Sequence, residues 1–189
     1  MKEKIRITGI GGSMEPKSST LLYLQYVLDE LKSLGAETLL VDIKLLNLPI
    51  YNFSKGIKNA GLEFEELLGK IHECDGFIFA SPEYHGTVSA SFKNVLDYFE
   101  FTGDYSPPYL TQKPVGCIAI AGGENSGGTT LNTMINIVHS LRGISASNSI
   151  AVGSADKHIS NEGVITNESL KRKLKRLAEE VYILSEKLK

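Results

Sequence analysis

Three stretches of the 189-residue chain carry groups suited to holding a ligand. Residues 9–20, GIGGSMEPKSST, crowd glycine and hydroxyl side chains just ahead of a helix-forming pattern. Free N–H groups, the positive end of a helix dipole and hydroxyl donors converge in such a loop, which makes it a generic anion site. The spacing is neither GxxxxGK[ST] nor GxGxxG, so a nucleoside triphosphatase and an ordinary dinucleotide-binding protein both lose support. Residues 81–87, SPEYHGT, offer a planar aromatic (Tyr84), an imidazole (His85) and backbone amides, a set suited to a flat heteroaromatic ligand. Residues 121–128, AGGENSGG, hold four glycines within seven positions, so backbone can approach a flat ring closely there.

Each stretch is expected to follow a strand. Lys4–Ile10 reads as the first strand, followed by a helix through about Leu34 with Ser18 as N-cap and Gly35 as its stop. Residues 36–46 read as a second strand, 53–61 as a connector and 62–74 as a helix. The apolar run Phe77–Ala80 predicts a buried parallel strand that ends abruptly at Ser81-Pro82, and residues 83–87 then read as a loop. A helix over 89–99 shows Phe92, Leu96, Tyr98 and Phe99 on more than one face, which predicts one side in its own core and another against a partner. Residues 100–112 read as loop, 114–120 as a fourth strand, 131–141 as a helix, 149–152 as a fifth strand and 154–164 as polar loop. Thr166 is the expected N-cap of the last helix. Five βα units predict one α/β domain over residues 1–189: a doubly wound, five-stranded parallel sheet, order 2-1-3-4-5, with helices on both faces. The three ligand-suited loops then meet at the carboxyl edge of the sheet.

Composition narrows the partners. A net charge of −2 gives no footprint for nucleic acid or an anionic membrane. No apolar run approaches the eighteen or so residues of a membrane span. Cys74 and Cys117 form no CxxC, and with no signal-peptide pattern the expected compartment is the cytoplasm. The four histidines stand singly without metal-ligand spacing, so no metal site is expected.

The PEYHG loop followed by SFKNVLDY resembles the NADPH-dependent FMN reductase family, in which such a loop precedes a K-N-x-x-D helix. Gly-Gly-Ser-x-x-Pro-x-Ser-Ser-Thr is similar to that family's phosphate loop, Asp42 with Leu48-Pro49-Ile50-Tyr51-Asn52 to its second crossover, and the glycine loop at 121–128 to its AGG…GG segment. The resemblance covers at least residues 5–153 and implies a flavodoxin-like fold binding FMN, with NADPH or NADH as hydride donor. It implies that Ser13, Ser18, Ser19 and Thr20, with Gly12 and Lys17 in the same loop, hold the FMN phosphate. Pro82, Glu83, Tyr84, His85, Gly86 and Thr87 would line the isoalloxazine, and Gly122, Gly123 and Asn125 would close its other side. One departure is Glu15, at a place where many members carry Arg. The implied partners are a small-molecule acceptor (free flavin, quinone, azo dye or metal oxyanion) and a second copy, in a homodimer or homotetramer. No protein acid, base or nucleophile is assigned. A flavin-binding electron carrier and a non-catalytic flavin module stay open beside the reductase.

Overall fold

A computed structural model describes residues 3–189. In chain order the elements are β1 (Arg6–Gly11), α1 (Ser19–Ser33), β2 (Glu37–Asp42), α2 (Ile43–Leu46), α3 (Leu62–His72), β3 (Gly76–Tyr84), β4 (Thr87–Val88), α4 (Ala90–Asp97), β5 (Pro114–Ile120), α5 (Gly128–Ser140), β6 (Ile144–Ser145), β7 (Ile150–Val152) and α6 (Glu168–Leu188). The sheet is parallel and runs β2-β1-β3-β5, with β6 and β7 sharing the fifth position beside β5. That is the expected 2-1-3-4-5 order.

The central strands are apolar on both faces because both are covered. In β3, Ile78 and Ala80 pack with α1 and α6, while Phe77 and Phe79 pack with α3, α4 and α5. Each large side chain so buried contributes roughly 1.5–3 kcal/mol. Phe92, Leu96, Tyr98 and Phe99 all lie in the second of these cores, at most 4% exposed. The expected outward face of this helix is therefore absent: Phe64 and Tyr51 meet Tyr98 edge-on at 5.2 and 5.4 Å and take up its ring within the chain.

Several boundaries shift for physical reasons. β3 does not stop at Ser81-Pro82 but continues to Tyr84, then folds back on β4 with Glu83 opposite Val88 and Tyr84 opposite Thr87. Pro82 shares the orientation of Ala80, facing β1, and pairing on that side ends at Gly11. The missing proline N–H therefore costs no ladder bond. β2 is cut short because the Asp42 carboxylate accepts from Lys44 N at 3.1 Å and starts α2. Residues 53–55 and 57–60 are 3-10 turns rather than plain connector, and α4 tightens into 3-10 helix through Thr102. Asn167, not Thr166, caps α6, accepting from Leu170 N at 3.0 Å.

The fifth strand is split. β6 pairs with Pro114 and Val115, β7 with Ile118 to Ile120, so 146–149 bulge out against only Gly116 and Cys117. Ser149 fills the gap: its Oγ accepts from Cys117 N at 3.0 Å. Burial pushes the Cys117 thiol up to about 12, which keeps it an inert, protonated core group. Ser149→Ala leaves a buried N–H unpaired and is expected to cost about 1–3 kcal/mol in urea denaturation, without altering the loops at the other end of the sheet.

Candidate functional site

The site begins where β1 and β3 part. Gly12 N–H extends the ladder to Ala80 O at 2.8 Å. Its carbonyl accepts from Ser89 Oγ at 2.6 Å and Ser91 Oγ at 3.1 Å. Ser89 also caps α4, accepting from Phe92 N at 3.1 Å. A Cβ on Gly12 would stand 2.6 Å from Phe92 Cβ, so the close crossing of loop and helix requires glycine.

Beyond Gly12 the chain opens a row of donors. Ser13 Oγ accepts from Glu15 N at 3.2 Å, and Ser18 Oγ accepts from Leu21 N at 3.3 Å as the cap of α1. Among the described residues, the amides of Ser13, Met14, Lys17, Ser18, Ser19 and Thr20 donate to no protein atom. Thr20 is only 1% exposed, and its hydroxyl likewise has no protein partner. All of these residues but Met14 border a cavity of about 230 Å³. An unpartnered hydroxyl on an almost wholly buried threonine and a run of unpaired N–H groups at a helix start fit a terminal phosphate.

Pro82, Glu83 and Tyr84 line the same cavity, and Tyr84 is half exposed at its mouth. His85 and Gly86 form the two-residue turn between β3 and β4, both in the left-handed region at φ +53° and +79°, the signature of a type I′ hairpin. Glu83 is a clamp. One carboxylate oxygen accepts from Gly127 N at 3.0 Å and from Thr130 Oγ1 at 2.7 Å. Gly127, at the N-cap position before α5, has no side chain to cap the helix, so Glu83 caps it from β3.

Gly122 reaches the cavity from the loop after β5, and a Cβ there would meet no atom within 4 Å. Of the expected residues, Ser13, Lys17, Ser18, Ser19, Thr20, Pro82, Glu83, Tyr84 and Gly122 border one cavity. His85, Gly86 and Thr87 sit at the hairpin tip beside Tyr84, Gly123 and Asn125 lie further along the glycine loop, and Gly12 is buried beneath. A fourth loop, read from sequence only as polar, adds Ala155 and Asp156. Its signal was the Gly153-Ser154 pair directly after the last strand, which stands in the same position as the glycines that follow β1 and β5.

Charge in the cavity is unusual for an anion site. Lys17 is its cation, while Glu15, Glu83 and Asp156 are carboxylates. Glu15 is exposed at the rim. A second, larger cavity of about 450 Å³ opens on the other side of the same loop, where Met14 faces Leu48, Ile50 and Ala90. It is apolar and lacks the donor row. Among the described residues no cluster of His, Cys, Asp and Glu could hold a metal ion, and no helix is long and apolar enough to cross a membrane.

Residues 5–157 match the model of the NADPH-dependent FMN reductase family. The chain belongs to that family. A NADPH azoreductase of Bacillus sp. (strain OY1-2) is 28% identical over 130 residues, 69% of this chain and 66% of that protein, just under two thirds of its length. An FMN-dependent NADPH-azoreductase of Staphylococcus aureus is 30% identical over 148 residues, covering 77% of this chain and 75% of its own. Among solved structures, a flavoenzyme NAD(P)H:(acceptor) oxidoreductase of Paracoccus denitrificans superposes with TM-score 0.77 over 97% of this chain and 98% of that one, at 20% identity. An archaeal flavodoxin does so with TM-score 0.61 over 96% and 99%, at 8% identity, so the shared fold is flavodoxin-like. The family is named for NADPH-dependent reduction of FMN.

The Glu83 clamp has a measurable consequence in this family member. Glu83→Ala leaves Gly127 N–H and the buried Thr130 hydroxyl unpaired and is expected to lower stability by about 2 kcal/mol in urea. Glu83→Gln keeps an accepting oxygen and should recover most of that loss.

Proposed function

We propose that the cavity between the loops after β1, β3 and β5 is the FMN site, and that the reduced enzyme passes electrons to small planar or oxyanionic acceptors. The observation that carries this reading is the row of unpartnered donors at the start of α1, in one cavity with Tyr84 and Gly122. Ser18, Ser19 and Thr20, with the free amides from Ser13 to Thr20, would bind the phosphate, and Lys17 would add the neighbouring positive charge. Pro82, Tyr84, His85, Gly86 and Thr87 would border the ring on one side, and Gly122, Gly123 and Asn125 on the other. Gly12 holds the phosphate loop against α4, and Glu83 holds the hairpin to α5. When bound, FMN supplies the redox chemistry, accepting hydride from the nicotinamide and releasing electrons to free flavin, a quinone, an azo compound or a metal oxyanion. The protein's part is to bind, orient and limit water, so no side chain is given an acid, base or nucleophile role. Rapid bleaching of the flavin band on adding NADPH, followed by recolouring with a quinone or azo acceptor, is the expected behaviour. A flavin that binds but fails to bleach would mark an electron carrier instead. Ser18→Ala with Thr20→Ala should weaken FMN at least tenfold, since hydrogen bonds to charged groups are worth roughly 1.5–3 kcal/mol each. Riboflavin, which lacks the phosphate, should change little; an equal loss for both ligands would reassign the loop.

The reading extends to assembly. Leu45, Ile50 and Phe53 are 77%, 88% and 65% exposed beside the apolar groove that includes Leu48, and such a patch favours association. A second copy covering this face gives the homodimer, which a further pairing would double to a tetramer. Light scattering should show at least a dimer at micromolar concentration, and Ile50→Glu should shift it to monomer; wild-type protein that stays monomeric when concentrated would sink the assignment. The chain functions as one domain, in the cytoplasm.

A further inference from the structure

The fourth loop is held in place more firmly than a solvent loop needs to be. Ser154, between β7 and the turn at 155–158, sits in the left-handed region at φ 46° and ψ 41°. A non-glycine residue there stores strain that only over-determined surroundings maintain. Those surroundings are explicit. Ser154 N donates to Gly123 O and Ala155 N to Ala121 O, both at 3.0 Å. The fully buried Tyr23 of α1 donates its hydroxyl to Ala155 O at 2.7 Å. Gly153 lies so close to the glycine loop that a Cβ there would stand 2.2 Å from Glu124 O. Three hydrogen bonds and one close backbone approach thus fix the residue that follows, Asp156, at the wall of the cavity that contains Ser18 and Thr20.

The Asp156 carboxylate is exposed, and among the described residues it accepts no hydrogen bond and pairs with no cation. It shares its cavity with a set that consists largely of donors. A phosphate engages donors only; hydroxyl groups need an acceptor. We propose that Asp156 is a ligand-binding residue of this site, the fixed acceptor for the hydroxyl groups of a polyol phosphate, here the ribityl chain of FMN. The inference rests on the FMN reading and assigns Asp156 as a selector for the sugar alcohol between phosphate and ring.

Flavin fluorescence titrations of the full-length protein with FMN, riboflavin and lumiflavin separate the outcomes. Lumiflavin carries the ring without ribityl or phosphate. Asp156→Ala is expected to weaken FMN and riboflavin by similar factors of at least tenfold, equivalent to about 1.4 kcal/mol. Lumiflavin affinity should not move, and Asp156→Asn, which keeps an accepting oxygen, should restore most of the loss. Tighter FMN with unchanged riboflavin would overturn the proposal and make Asp156 merely a charge that repels phosphate. Equal weakening of all three ligands, or no change in any, would overturn it too, the former by pointing to loop collapse, which a lowered melting temperature of both variants would accompany. Wild-type protein that binds lumiflavin or no flavin at all, with no gain from ribityl phosphate, would instead overturn the FMN assignment itself.

Discussion

The carbonyl of Gly12 accepts two serine hydroxyls from the start of α4, while its N–H is taken by Ala80 at the end of β3. Through this one residue the loop after β1 is fastened to the strand and helix on either side of the second loop. The two crossovers leave the sheet in opposite directions at β1 and β3, which is the switch point where a doubly wound sheet opens a crevice. Without a fixed joint there, the crevice would be as mobile as its loops. Phe92 completes the joint by occupying the space that a Cβ on Gly12 would need. Glycine, two serines and one phenylalanine therefore decide how the donor row of 13–20 stands relative to the hairpin of 83–88.

On the proposed reading, the donor row would bind an anion by directed dipoles more than by net charge. Glu15, Glu83 and Asp156 outnumber Lys17 around the cavity. At 4 Å, a like-charge pair costs about 1 kcal/mol in water and about 4 at an intermediate effective dielectric. Those carboxylates are spared the higher figure in different ways: Glu83 is already hydrogen-bonded to Gly127 and Thr130, while Glu15 and Asp156 are solvated. Several unpartnered N–H groups and hydroxyls on the same cavity would offset what remains, each worth more against a charged partner than against a neutral one. On that reading phosphate recognition would be a matter of geometry, and geometry is what the Gly12 joint and the Ser18 cap preserve.

Much of this was legible in the sequence because it is local. The order of strands, the cap at Ser18, the stop at Gly35 and the three glycine- or aromatic-bearing loops follow from periodicity, turn chemistry and the handedness of βαβ crossovers. What sequence could not show depends on contacts between distant segments. The strand through Ser81-Pro82 reads as ending because proline usually breaks a ladder, yet β1 ends at Gly11 and leaves that side unpaired. The aromatic residues of 92–99 read as two-faced because their second face meets Phe64 and Tyr51, which are far away in sequence. Glu83 reads as a ring contact, and its bond to Thr130, 47 residues on, makes it a cap for α5.

The split fifth strand sets where the fourth loop, expected only as polar loop over 154–164, meets the third. The sequence reads as a single strand over 149–152, whereas the structure has two fragments, of two and three residues, over 144–145 and 150–152. The bulge at 146–149 lets β6 pair low on β5 and β7 pair high, so the chain reaches the carboxyl edge with β7 in register against Ile118 to Ile120. That register brings Gly153 onto Glu124 and Ser154 onto Gly123, locking the fourth loop to the third. Ser149, by satisfying Cys117 in the middle of the bulge, keeps the two registers compatible. An irregular edge in the sheet thus becomes the means by which Asp156 is set beside the donor row, with Tyr23 holding it from the opposite helix.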